Sequence, residues 1–180
     1  MGNRGILHDD HRRMVRATQV KRWFACRIEF RGRRRTIMKP RSYTELFFLD
    51  EATAFAAGHR PCAECRNADY KRFQALWKQC FGAAAGADAI DAVLHAERLA
   101  GRAKRTWRAD VSTLPDGACV TMGVGSAIVW EKELAGWTDC GYRERFARSA
   151  LGEIEVLTPP SIVKVFRAGY KPGVHPSLVL

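Results

Sequence analysis

The stretch Phe47-Phe-Leu-Asp-Glu-Ala-Thr-Ala-Phe-Ala-Ala-Gly-His-Arg-Pro-Cys-Ala-Glu-Cys65 holds the strongest local signals in this chain of 180 residues. Asp50 is a good N-cap, because its carboxylate can accept an otherwise unpaired amide at a helix start. The Ala-rich run 51–57 then reads as a short helix, and Gly58 supplies the left-handed residue that stops it. His59-Arg60-Pro61 leads into Cys62-Ala-Glu-Cys65. A tight turn lets two thiolates with this spacing reach one zinc ion. A redox pair usually follows a strand and opens the first helix of a thioredoxin-like unit. Here the pair follows a helix, which favours metal.

Upstream of the quoted stretch, Trp23 to Phe30 alternates, with Phe24, Cys26, Ile28 and Phe30 on one face. Period two predicts a half-buried strand. Arg31-Gly32-Arg33 reads as a turn, with 34–38 returning as a second strand, so that a hairpin carries arginines at its tip. Residues 43–49 read as a short buried strand, and residues 1–20 as a basic arm, flexible or helical. Downstream, Tyr70, Phe73, Leu76, Trp77 and Cys80 recur at helical spacing. Asp88 opens a further helix that runs to about Ala100 with Ile90, Val93 and Leu94 inward. Residues 119–122 and 127–130 form a hairpin around Gly123-Val-Gly125, and 154–157 is a last strand. Thr158-Pro159-Pro160 starts a final helix.

The formal net charge is +11. Between His11 and Thr44 lie twelve Lys or Arg and one acid, Glu29, so this fifth of the chain carries the whole excess. A concentrated excess points to a polyanion, most often nucleic acid. The candidate contacts are Arg31, Arg33, Arg34, Arg35, Lys39, Arg41, Arg60 and Arg66. Aromatic residues interleave with the cations (Trp23, Tyr43, Tyr70, Trp107), a mixture that either stacks bases or fills core. No apolar run approaches the ~20 residues of a membrane span. Met1 to Arg16 lacks an apolar signal core, so the expected setting is the cytoplasm, with no membrane partner.

The stretch from Phe47 to Cys65 resembles the metal-binding domain of the Ada DNA-repair proteins. Ala57, Gly58, Arg60, Pro61, Cys62 and Cys65 match that family's pattern, and His59 stands where the family has an aromatic residue. The likeness covers about residues 43–66. It implies that Cys62 and Cys65 bind zinc in a module that contacts DNA. The family brings two further cysteines as Cys-x-x-x-Cys, one of them a methyl acceptor. This chain has only Cys26 upstream, so the methyl-acceptor activity is not carried over.

Cys26 and His95 are the leading candidates to complete the metal site; His59, His8 and His11 are others. Three protein ligands would leave an open, catalytic position, and four a closed, structural one. For catalysis the candidates are His95, Glu97 and Asp91. His95-Ala-Glu97 with Pro61-Cys-x-x-Cys65 is similar to the ligand motifs of zinc nucleobase deaminases, in permuted order. His175-Pro-Ser177 is superficially similar to a short motif of uracil-DNA glycosylases.

The expected fold class is therefore α+β, a small β-hairpin/helix zinc module followed by helices and a second short antiparallel β region. Residues 1–20 are the arm, 21–82 the module and 83–180 an α+β part packed with it. The expected function is a zinc-binding, nucleic-acid-associated protein, leaning towards a DNA repair, modification or defence enzyme. The alternatives are an adaptor for RNA, DNA or protein with structural zinc, and a zinc-dependent deaminase or hydrolase.

Overall fold

The helix expected after Asp50 forms as α1, Glu51–Ala56. One Asp50 carboxylate oxygen accepts the Thr53 amide at 2.8 Å, and the Thr53 hydroxyl accepts the Asp50 amide at 3.1 Å, which completes a capping box. The second oxygen takes the Tyr142 hydroxyl at 2.8 Å and the His175 amide at 3.0 Å. One residue thus starts the helix and ties it to two distant parts of the chain.

This arrangement is seen in a computed structural model that describes residues 1–34, 36–82, 85–148 and 152–179. The fold is α+β. Three more helices follow, α2 (Asn67–Phe81), α3 (Ala87–Arg98) and α4 (Pro160–Arg167). Most of the apolar residues spaced for helices turn inward, although Val93, expected inward, is 42% exposed. Phe55 of α1, Phe73 and Trp77 of α2, Ile90 and Leu94 of α3 and Ile162 and Phe166 of α4 share one buried cluster. Burying each such side chain contributes roughly 1.5–3 kcal/mol.

Strands β1 (Gly2–Asn3), β2 (Phe24–Ala25) and β3 (Arg60–Pro61) form a small sheet in that order, with β2 and β3 parallel. Strands β4 (Leu99–Ala100) and β5 (Ala103–Lys104) make a short hairpin. The main sheet is antiparallel, built from β6 (Trp107–Asp110), β7 (Cys119–Met122), β8 (Gly125–Trp130), β9 (Glu133–Thr138), β10 (Gly141–Ala147) and β11 (Glu153–Val156). Its order is β10-β9-β8-β7-β11-β6. Side chains alternate between its faces. Val120, Ala127, Val129 and Leu134 pack with Val163 of α4, whereas Cys119, Ile128 and Ala135 pack with Ala52 and Ala56 of α1.

Three expectations change. The arginine hairpin does not form, since β2 ends at Ala25 and Ile28 is 72% exposed. Residues 1–20 are not a free arm. Gly2 and Asn3 pair with β2, Leu7 and His8 are buried, and the terminal amine donates to the Cys26 carbonyl at 3.1 Å. Residues 43–49 make one isolated bridge, Leu46 with Gly2, and leave Phe47 exposed. Strands β6, β9 and β10 were not expected.

Gly58 has φ +85°, and a Cβ there would meet the Arg98 stem at 2.6 Å. A left-handed backbone costs an L-residue roughly 1–2 kcal/mol. Gly58→Ala is therefore expected to lose at least about that much stability, read by urea unfolding, and to disturb the cysteine turn that follows.

Candidate metal centre

The small sheet delivers the ligands. In the parallel register Phe24 faces Arg60 and Ala25 faces Pro61, and the Cys62 amide donates to the Ala25 carbonyl at 3.0 Å. One step further along each strand stand Cys26 and Cys62. The turn into α2 then brings Cys65 back to the same place. The Sγ atoms of Cys26, Cys62 and Cys65 lie within 4.8 Å of one another, and Cys62 and Cys65 are buried. Thiolates on one tetrahedral zinc stand about 3.8 Å apart, given Zn–S bonds of about 2.3 Å. The donor set therefore fits a thiophilic ion after small side-chain adjustments.

The surroundings favour charge on the Cys62 sulfur. The Cys62 thiol is lowered to about 5 by the Cys26 thiol hydrogen-bonded to it, with help from the backbone amides of Cys65 and Glu64, against the opposing effect of burial. Cys26 is pushed up by the same contact with Cys62 and by burial. The Arg27 amide donates to Cys65 Sγ at 3.3 Å. Backbone amides aimed at sulfur stabilise thiolate, the form a metal binds.

The three cysteines meet, whereas the other sequence candidates do not join them. His95, expected as a ligand, is not part of the cluster. Its ring is partly buried with Nδ1 unpartnered, and burial and the Arg98 charge lower its pKa. His59 is buried elsewhere, 5.3 Å from the Trp23 ring and 4.8 Å from that of Phe48. His8 is buried against the Thr44 hydroxyl at 2.6 Å.

Two of the three catalytic candidates, Asp91 and Glu97, make framework contacts from α3. Asp91 makes a buried bidentate ion pair with Arg60, at 2.7 and 3.2 Å. Glu97 accepts the Ser161 amide at 3.0 Å and the Ser161 hydroxyl at 2.6 Å, which closes the start of α4. His175 Nδ1 faces Ser177 Oγ at 2.8 Å within a single 3-10 turn.

The basic candidates divide in the same way. Arg31, Arg34, Lys39 and Arg41 are exposed. Arg33 is exposed too and pairs with Glu64 at 2.6 Å. Arg35 lies outside the described residues. Arg60 is not a surface cation, because it is buried on Asp91. Arg66 turns inward to Glu51 and Asp69, at 2.7 and 2.9 Å. Of the interleaved aromatics, Trp23 and Tyr70 are core, and the Trp107 indole donates to the Thr158 carbonyl at 2.9 Å.

Two features had no signal in the sequence. A cleft of about 540 Å³ opens beside the cysteines, lined by Cys26, Cys62, Asn3, Phe24, Tyr43 and Glu64 among others. Behind it, Trp23 has the guanidinium groups of Arg4 and Arg98 over its ring at 4.0 and 3.9 Å. Arg98 is fully buried, and its Nη1 donates to the Gly58 carbonyl at 2.8 Å. Long-range convergence of single residues leaves no periodic trace.

Compared with family models, curated proteins and solved structures, the chain finds no match. Among the described residues, no helix is long and apolar enough to cross a membrane.

Removing one partner of a buried ion pair leaves an uncompensated charge and costs about 3–5 kcal/mol. Asp91→Ala should lose that much stability by chemical denaturation; a fully stable variant would contradict the framework role. His59 supplies a pH test. Its pKa lies well below the ordinary 6.5, first through burial and then through Arg4 and Arg98. Below pH 6.5 the unfolded chain therefore binds a proton that the native state refuses, so stability falls as pH falls, by up to about 1.4 kcal/mol per pH unit. His59→Gln should flatten that part of the stability–pH curve.

Proposed function

We propose that this chain is a zinc-binding, nucleic-acid-associated protein, in which Cys26, Cys62 and Cys65 hold the ion and the arginine-rich segment beside them holds DNA phosphates. The observation that carries the reading is the meeting of three thiols from two separated parts of the chain within 4.8 Å. Soft thiolates in such an array select zinc over hard cations. The resemblance of residues 43–66 to the Ada metal-binding domain supports the same ion and the same partner.

The charge supports the nucleic-acid half of the proposal. Arg27 is linked to the metal cluster through its amide, and Arg31, Arg34, Lys39 and Arg41 follow it as exposed cations on an irregular loop. Arg31, Met38 and Arg41 hold positive φ values of 52°, 53° and 58°. Side chains adopt such backbone rarely and at a cost. A set shape at the surface is what repeated phosphates would require. Three cysteine ligands leave one position of a tetrahedral ion for something else, which favours an enzyme or ligand-binding centre over a purely structural zinc.

Purified protein should carry about one zinc per chain by elemental analysis, and Cys62→Ser should lose it. Metal-free protein, or copper or iron in its place, would contradict the assignment. Binding to duplex DNA should weaken with salt at a slope of about −0.9 per neutralised phosphate. Replacing Arg31, Arg34 and Arg41 by Ala should make that slope shallower by about 3 and weaken all sequences alike. Binding that is indifferent to salt would remove DNA from the proposal.

A further inference from the structure

We infer that the cleft beside the cysteines is the receptor for one unpaired nucleotide of a DNA strand, with its base against Phe24 and Tyr43 and its edge towards the fourth position of the ion. The inference rests on the zinc and nucleic-acid reading above and deepens it.

Four observations meet at this cleft. The first is size. About 540 Å³ lies within the 300–1,000 Å³ range of small-ligand sites, enough for a single nucleotide. The second is which ligands it reaches. Cys26 and Cys62 line it, so an ion held by the three thiols would border the cleft. An exogenous group can therefore complete the coordination.

The third observation is the lining. Phe24 and Tyr43 are aromatic and half-buried, and both come from the chain before the cysteine turn, one in β2 and one in the loop before α1. Aromatic walls hold any base by its face, and the Asn3 side chain adds an amide to the lining. The fourth is charge complementarity at the mouth. Arg33 lines the cleft and lies over the Phe30 ring at 5.4 Å, with Arg31 over the same ring at 5.1 Å. Arg27 and Arg34 are exposed in the same segment. Arg33, paired with Glu64, thus lines the cleft and exposed cations neighbour it in sequence, while Phe24 and Tyr43 give the lining aromatic surface; a nucleotide uses both kinds of contact. A base paired within a duplex cannot enter such a site without leaving its stack.

The test uses full-length protein loaded with cobalt(II) in place of zinc. The visible bands of cobalt report its coordination sphere directly. The probes are a short single-stranded DNA, a duplex of the same sequence, and a free mononucleotide. The single strand should shift the cobalt bands saturably, and the duplex should leave them unchanged. A shift by the mononucleotide alone, as strong as that by the strand, also supports the site and assigns free nucleotides as its source. Tyr43→Ala should weaken single-strand binding about tenfold, in line with loss of one stacking partner. Tyr43→Phe should restore it, which a merely folding defect would not predict. Duplex affinity should be the same in all three proteins.

Unchanged cobalt bands with every probe, or equal losses on single strand and duplex, would overturn the inference and leave the zinc and phosphate-binding reading standing. Failure to take up one equivalent of cobalt or zinc would overturn that reading first.

Discussion

The parallel pairing of β2 with β3 is the constraint on which the rest of the N-terminal half depends. Two residues on each side suffice to set the register, and that register puts Cys26 beside Cys62. Parallel strands need a long crossover between them. Here the crossover carries the basic loop and α1, so the same connection that brings the thiols together also places the arginines next to them. A slip of one residue would move Cys26 to the other face of the ribbon and dissolve the cluster. The register is therefore held from several directions. The terminal amine is bonded to the Cys26 carbonyl, the Arg60 amide to the Trp23 carbonyl and the Cys62 amide to the Ala25 carbonyl.

Further from the cysteines, the charges of α3 serve the same end. Arg60 sits directly before Pro61 and is fixed by Asp91; Arg98 grips the carbonyls of Gly58 and Lys21. Both guanidinium groups are buried, and desolvated cations are tolerated only where several acceptors meet them. The helix thus clamps the two segments that flank β2 and β3. Residues that look like acid–base equipment in sequence, Asp91 and Glu97, turn out to be the fasteners between α3 and its neighbours. Their polarity is used to join elements of the fold, and the three cysteines, not these carboxylates, form the cluster able to hold a metal ion.

What the sequence made legible follows the range of the forces involved. The helices α1, α2 and α4 were readable because caps and the 3.6-residue period are local, and the β7–β8 turn because Gly123 announces it. Cys62 and Cys65 were legible as a pair for the same reason. Strands β9 and β10 were not. Gly136 breaks the pattern of one, and the other shows Arg143, Glu144 and Arg145 in succession, so neither alternates cleanly. Conversely, the alternation from Phe24 to Phe30 is real as a pattern and misleading as a strand. Beyond Ala25 the chain leaves the sheet so that Cys26 can join the other thiols, and Ile28 is left in solvent. Periodicity measures what a segment could bury, not whether a partner face exists.

The exposed apolar residues of that loop bear on why the charge is concentrated where it is. Ile28 and Ile37 are 72% and 52% exposed, and both lie among arginines. Isolated, they would be unremarkable. Together with three non-glycine positive-φ positions among the described residues they describe a loop that gives up burial and backbone comfort at once. Neither sacrifice helps the fold, because the core clusters contain no residue of this segment. In the nucleotide reading proposed above, such a loop has a use beside the three cysteines, its cations meeting phosphates and the cleft the base they carry.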